Sequence, residues 1–281
     1  MSKVPDNRIT ILKDFDPDAT KDYVLYWVIN FKRTSYNFAL QRAVELANKL
    51  SKPLLIFEPL ILDYPMSSLR FHKFFLEGMK DVDSSISKTN AYYYPYVEET
   101  KNASEELLSQ LTAKAAAVVT DDYPTYFVPQ MTAKARGIVN TRYELVDANG
   151  LIPIRIAEKE YVRAHDFRRY MHKNLLDFLV DVPEENPLGD LEVKFDENII
   201  KDIEKKWNKI NFETFNQSDF LDNLNIDKTV KASPIVGGYN MAKKRLDYFL
   251  ENGYNDYATL RSHPSEDASS QLSPYLHAGH I

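Results

Sequence analysis

The sequence predicts an α/β protein: a Rossmann-like domain with a five-stranded parallel sheet, then a linker, then the start of an all-helical domain. Two observations carry this prediction. Short apolar runs alternate with amphipathic stretches between about residues 22 and 150, and the alternation stops after 150. Strand–helix alternation calls for right-handed βαβ crossovers and a mostly parallel sheet. At 44% hydrophobic and 12% aromatic residues, the composition readily supplies a core.

Each element follows from its own pattern. "YVLYWVI" (23–29) is a continuous apolar run, as expected of a strand buried on both faces. In 35–50, Phe38, Leu40, Ala43, Val44, Ala47 and Leu50 recur at helical spacing, with Arg42, Glu45 and Lys49 outside. "PLLIFEP" (53–59) is the second strand, and 68–86 is a helix with Phe71, Phe74, Phe75, Met79 and Val82 inward. "AYYYPYV" (91–97) is the third strand. A helix at 104–115 follows, with Ser104 as its N-cap. "AAVVTD" (116–121), a helix at 126–139 and "YELVDA" (143–148) complete the domain. No G-x-G-x-x-G motif follows the first strand, so the dinucleotide fingerprint is absent. Ligands of such sheets bind beyond the carboxyl ends of the strands, here Trp27–Phe31, Glu58–Leu62 and Thr120–Tyr123. Asp121 and Asp122 read as N-caps of the next helix.

Beyond 150 the chain reads as helical. Helix-prone stretches lie at 160–179, 197–210 and 239–253, the last with Gly253 as its C-terminal cap. Residues 180–193 are a proline- and acid-rich connection, and 232–240 is a loop with a glycine pair. The segmentation is therefore 1–21 as an N-terminal extension, 22–150 as the α/β domain, 151–230 as a linker with helices, and 231–281 as the beginning of the helical domain.

There are no cysteines, which excludes disulfides and thiolate metal sites and suits a reducing cytoplasm. The net charge of −6 argues against a protein that coats nucleic acid along its whole surface. No apolar run reaches the roughly 20 residues a membrane helix needs, and the first residues have no apolar signal core. Six histidines show no metal-ligand spacing, and surface or packing roles are expected of them. "FRRYMHK" (167–173) puts Arg168, Arg169, His172 and Lys173 on one helix, a short basic footprint for phosphate. The favoured reading is a solvated face, with weak and salt-sensitive DNA binding at most.

The chain closes on "SSQLSPYLHAGHI" (269–281). Ser273 and Pro274 read as an N-cap and first helical residue, and the hydroxyl-rich turn before them suits an anion, with Arg261 nearby. On physics alone, a polar loop with a capped helix is the favoured reading of these residues, since serine-rich turns are common.

"YATLRSHPSEDASSQLSPYLHAGHI" resembles the flavin-binding turn of the DNA photolyase and cryptochrome family. The preceding "GGYNMAKKRLDYFL" resembles the helix leading into that turn. "YVLYWVINFKRTSYNFALQRAVELANKLSKPLLIFEPL" resembles the start of the class II branch, and "EKEYVRAHDFRRYMHKNL" its basic linker segment. The resemblance runs through nearly the whole chain in the family's order. It implies a flavoprotein lyase of DNA repair (photoreactivation), in which reduced FAD passes an electron to a cyclobutane pyrimidine dimer in damaged DNA. It also implies an antenna chromophore of unknown identity at the edge near 120–127. Tyr257 is implied to contact the flavin's phosphate or ribose region, and Ser269, Ser270, Gln271, Leu272 and Ser273 to form the turn that binds the FAD pyrophosphate. Ala278 stands where the family usually has an aromatic residue, His280 where glutamine is common, and Tyr36 where an acid precedes Asn37.

Most flavin contacts, the tryptophan electron-transfer chain and the lesion pocket of that family find no counterpart. The only tryptophans are Trp27 and Trp207. The chain therefore reads as a truncated class II photolyase with poor FAD retention and little repair activity. A cryptochrome-like light sensor and a non-catalytic α/β nucleotide- or partner-binding protein are the alternatives. Apolar surface of helix 239–252 and of "LSPYLH" is expected to stand uncovered, making residues beyond about 230 mobile, misdocked or self-associated.

Overall fold

In the computed structural model, the described residues are 3–62, 64, 67–98, 100–157, 159–224 and 226–281. Met1, Ser2 and Glu158, which fall within the segments read as the extension and the basic linker, lie outside them. The first half alternates strand and helix: β1 (Ile9–Lys13), β2 (Tyr23–Trp27), α1 (Phe38–Leu50), β3 (Leu54–Leu60), α2 (Leu69–Ile86), β4 (Tyr92–Val97), α3 (Ala103–Ala113), β5 (Ala115–Asp121), α4 (Val128–Ala135) and β6 (Arg142–Val146). The remainder is helical: α5 (Ala164–Phe178), α6 (Lys201–Lys206), α7 (Gln217–Asn223), α8 (Tyr239–Asn252), α9 (Tyr257–Leu260) and α10 (Ser273–His277).

The sheet has six strands in the order β1-β6-β5-β2-β3-β4. The five anticipated strands are present and mutually parallel. The sixth, β1, corrects the count. It comes from the segment read as an N-terminal extension and pairs antiparallel with β6, Ile9 opposite Val146. Edge position explains why the pattern was quiet: β1 is half-buried, and Ile11 remains exposed. A strand covered on one side only has no need of a continuous apolar run.

The inner strands are buried on both faces, and successive side chains feed opposite cores. Val24, Tyr26 and Val28 enter the cluster under α1, while Tyr23, Leu25 and Trp27 enter the cluster that also holds Leu107 and Leu111 of α3. Asn37 starts α1. Its side chain accepts from the N–H groups of Ala39 and Leu40, so the helix begins at the first residue where two orphan donors are satisfied. Ser104 is not a cap, since α3 starts at Ala103 behind Asn102, which adopts a left-handed conformation at φ 66°. Ser273 is likewise the first helical residue of α10 rather than its cap, because Leu272 is already in helical geometry at φ −81°, ψ −8°.

On α1 and β6, Arg42 donates to Glu144 from Nε at 2.7 Å and Nη2 at 3.1 Å, and Arg142 bonds the same carboxylate. Glu144 is fully buried. Burial alone raises its carboxyl, but the two guanidiniums outweigh that and hold it below the ordinary 4.5. A depressed carboxyl contributes stability that is complete above the unfolded value and is lost as pH falls through the folded one. The stability gap between the wild type and Glu144→Gln should therefore be widest near neutral pH and should narrow on acidification below about pH 4.5. Denaturant titrations at several pH values measure it, and a pH-independent gap contradicts the assignment.

The C-terminal segment is docked on the domain, so only part of the apolar surface expected to stand uncovered does so. Ala242, Leu272, Tyr275 and Ala278 are buried against Phe74 of α2, and the Tyr275 hydroxyl donates to the Val236 carbonyl at 2.9 Å. The docking works because α2 carries Gly78: a Cβ there would lie 2.2 Å from Nε2 of His280. Leu250 and Leu276 do remain exposed.

Candidate functional site

A cavity of about 330 Å³ opens at the carboxyl ends of β2, β3 and β5, where an open α/β sheet places ligands. Residues from all three anticipated stretches line it, among them Trp27, Asn30, Ile61 and Tyr123, and Lys32 just beyond the first of them does too. Aromatic rings make up much of the rest: Phe71 and Phe75 from α2, Tyr126 before α4, and His277 from α10, beside the aliphatic Val128 and Met131 of α4. His277 stands edge-on to Tyr126, ring centroids 6.4 Å apart, and lies 6.3 Å from Phe71. The end of the chain thus forms part of this cavity, which the sequence pattern did not indicate.

Asp121 organises the rim and corrects its reading as a helix cap. Its buried carboxylate accepts from the backbone N–H groups of Ile29 (2.9 Å), Asn30 (2.6 Å) and Phe31 (2.9 Å) and from the Tyr26 hydroxyl (2.7 Å). Burial pushes this carboxyl above its ordinary value, and the hydrogen bonds pull against it. The Tyr26 oxygen in turn accepts from Asn37 Nδ2, which also reaches the Phe31 carbonyl. The β2–α1 loop is therefore fixed from β5 on one side and from the helix cap on the other. Asp122 does not cap α4 either: it receives Arg155 from Nε at 2.7 Å and Nη2 at 3.0 Å. Sequence reasoning missed Asn37 and Tyr26 as a pair. The one available signal was a buried-type strand carrying a tyrosine hydroxyl that needs a partner.

The same loop grips the C-terminal segment. Arg33 Nη1 donates to the Gly279 carbonyl at 3.3 Å, and Gly279 sits at φ 69° directly against the Asn30 carbonyl. His280 is fully buried and stacks on Phe74 at 4.9 Å, and its Nδ1 accepts from the Gly238 N–H at 3.0 Å. Burial, aided by the charge on Lys32, lowers this imidazole to about 3, so it is neutral at physiological pH. His280 is a packing residue, as anticipated.

The predicted flavin residues gather along α8. Arg245 and Phe249 are one turn apart and share a helix face. Arg245 donates to the carbonyls of Ser269 and Ser270, both at 3.0 Å, and Phe249 meets the ring of Tyr257 at 5.7 Å. Gln271 takes φ 53° and bonds Asp267, Leu272 is buried, and Ser273 is exposed. Among the described residues, no hydrogen bond engages the hydroxyls of Ser269 or Ser273, which leaves a donor set that a pyrophosphate accepts. Arg168, Arg169 and Lys173 all stand exposed on α5.

No protein-family model matches the chain. The deoxyribodipyrimidine photo-lyase of Methanothermobacter thermautotrophicus is 28% identical over 275 residues, covering 98% of this chain and 57% of that protein. The photo-lyase of Arabidopsis thaliana is 27% identical over 299 residues, covering 99% and 55%. The chain is similar to photolyases along nearly its whole length. It spans about half the length of the curated photo-lyases it matches. The fold agrees with that of solved photolyases. A class III photolyase from Agrobacterium tumefaciens superposes with a TM-score of 0.65 at 20% identity, covering 93% of this chain and 51% of that one. An archaeal photolyase from Sulfolobus tokodaii, solved with two FAD molecules, does so at 0.61 and 17%, covering 92% and 52%. Among the described residues, no helix is long and apolar enough to cross a membrane.

Proposed function

We propose that this chain belongs to the class II branch and serves light-driven repair of cyclobutane pyrimidine dimers, with an aromatic antenna chromophore in the cavity at the carboxyl edge of the sheet. The observation that carries the proposal is the cavity itself. It is apolar and aromatic, with Lys32 as its charged residue. A planar heteroaromatic suits such a site, since ligand pockets combine mostly apolar and aromatic walls with a few polar groups. A second FAD in the archaeal relative fits the same idea of a light-harvesting group beside the repair cofactor.

The repair cofactor in this reading is FAD, held at its pyrophosphate by Ser269, Ser270, Gln271, Leu272 and Ser273, with Tyr257 toward the phosphate or ribose region. When bound and reduced, FAD supplies the electron that splits the dimer. The chain's own contribution is to orient that pyrophosphate through hydroxyls and backbone N–H groups, with Arg245 fixing the turn from behind. Arg168, Arg169 and Lys173 offer weak, sequence-independent phosphate contacts to damaged DNA. Residues 22–150 form the chromophore-bearing unit, 151–230 the linker and 231–281 the flavin-docking start of the helical unit, in a cytoplasmic protein. Exposed Tyr248, Leu250 and Leu276 favour self-association.

The chain should hold FAD weakly. A few contacts to an exposed phosphate are worth about 0.5–1.5 kcal/mol each, against an association cost of about 4–15 kcal/mol. Purified protein should carry well under one FAD per chain and show little light-dependent repair of a dimer-containing oligonucleotide. Stoichiometric FAD with turnover overturns the weak-binding expectation. A chain that takes up no flavin at any concentration overturns the assignment of the turn.

A further inference from the structure

Helix α8, along which the flavin residues gather, takes its N-terminal cap from another part of the chain. Its own N-cap is Gly238, whose missing side chain offers no acceptor. The first N–H groups of a helix have no partner within it, and here α2 supplies acceptors. Asp81 Oδ2 accepts from the Asn240 N–H at 2.9 Å, and Asp81 Oδ1 accepts from Asn240 Nδ2. Just before the helix, Glu77 Oε2 accepts from the Gly237 N–H at 2.8 Å, and Lys73 pairs with the same carboxylate. The glycine pair makes this approach possible. Gly238 sits at φ 102°, and a Cβ on it would lie 2.9 Å from Asp81 Cβ. A Cβ on Gly237 would lie 2.1 Å from the Phe74 carbonyl oxygen. The start of α8 is therefore laid directly on α2, with a carboxylate that also complements the helix dipole.

Five residues further along α8, about 7.5 Å of helix, Arg245 reaches the carbonyls of Ser269 and Ser270 and the carboxylate of Asp267. The guanidinium thus holds the turn by its oxygen acceptors and leaves the Ser269 and Ser273 hydroxyls to a ligand. A hydrogen-bonded helix is stiff over so short a length, so the point where α8 starts on α2 decides where Arg245 places the turn. We infer that Asp81 is a positioning residue for the flavin: by capping α8 from α2 it sets the turn 269–273, acting through the helix rather than on the ligand. The inference rests on that turn being the pyrophosphate site.

The test uses the full chain and follows amide hydrogen exchange with FAD added over a range of concentrations. Protection of residues 269–272 reports FAD at the turn, and its concentration dependence gives the affinity there. Asp81→Ala removes both bonds to Asn240. The expected result is FAD binding at the turn weakened about tenfold, the shift that loss of a helix cap produces, with faster exchange of the Asn240 amide and unchanged exchange in β2 and β5. Asn240→Asp alone sets two carboxylates against each other and weakens binding at least as much. Combined with Asp81→Asn it restores both hydrogen bonds, donor and acceptor exchanged between the side chains, and the affinity returns to within about twofold. Unchanged FAD affinity in Asp81→Ala overturns the positioning role and leaves the flavin turn standing. Failure of Asp81→Ala to fold, or equal acceleration in β2 and β5, makes Asp81 a residue of general stability and also overturns the inference. A swapped pair that stays as weak as Asp81→Ala does the same. If the unsubstituted chain shows no FAD protection at 269–272 at any concentration, the flavin turn and the inference fall together.

Discussion

Asp121→Ala lowers the stability of the protein by about 3–4 kcal/mol, near the upper end for a single substitution. One carboxylate accepts three consecutive backbone N–H groups at the end of β2 and the Tyr26 hydroxyl, all in a buried setting. Alanine leaves those donors without partners, and each buried donor so stranded costs about 1–3 kcal/mol. Partial entry of water brings the sum below the simple total. Asp121→Asn recovers only part of the loss, because its amide nitrogen must face donors. Guanidinium unfolding of the two variants measures this directly. A loss smaller than about 1 kcal/mol for alanine would show that the loop does not depend on this residue. A second consequence is local: with residues 29–31 released, the cavity rim loses definition, so any ligand of the cavity binds less tightly than stability alone dictates.

Gly279→Ala detaches the C-terminal segment while leaving the sheet folded. Gly279 occupies φ 69°, and a Cβ there would lie 1.7 Å from the Asn30 carbonyl oxygen and 2.8 Å from its carbon. Left-handed geometry costs an ordinary residue about 1–2 kcal/mol, and the clash with rigid backbone adds overpacking of about 1–3 kcal/mol. The total of about 3 kcal/mol corresponds to roughly hundredfold faster amide exchange if opening is local. The amides of Leu276, Ala278 and His280, which bond back within the segment, report it. Unchanged exchange at those positions, or equal acceleration in β2 and β5, would falsify the local-latch reading. Because His277 and Ala278 line the cavity, the same substitution also weakens binding there.

The five parallel strands and the helices between them were legible because burial on both faces forces continuous apolar runs, and crossover helices must show one apolar side. The carboxyl-edge location of the cavity followed from that topology alone. Asn37 could be seen as part of a motif, but its dual role as cap and as a partner of Tyr26 depends on a strand packing beside the helix start. β1 escaped notice because an edge strand is half-covered, so its residues need satisfy only one face. Asp121 was misread because a side chain just past a strand has two local uses, capping forward or bonding sideways. The sideways partners lie 90 to 95 residues away in sequence.

What the sequence determined by itself is periodic and local: which segments are strands or helices, their order, and hence the parallel sheet and its binding edge. What only the tertiary structure decided is every feature that depends on distant residues meeting. Lys32 on the β2–α1 loop finds Glu58 on β3, Gly78 makes room for His280, and Gly279 lies on Asn30, so that the helix Ser273–His277 becomes a wall of the cavity. Hydrophobic periodicity records how much of each residue is buried but carries no information on what buries it. Polar pairing and close glycine contacts are set by the partner's identity and position, and these exist only once the chain has folded.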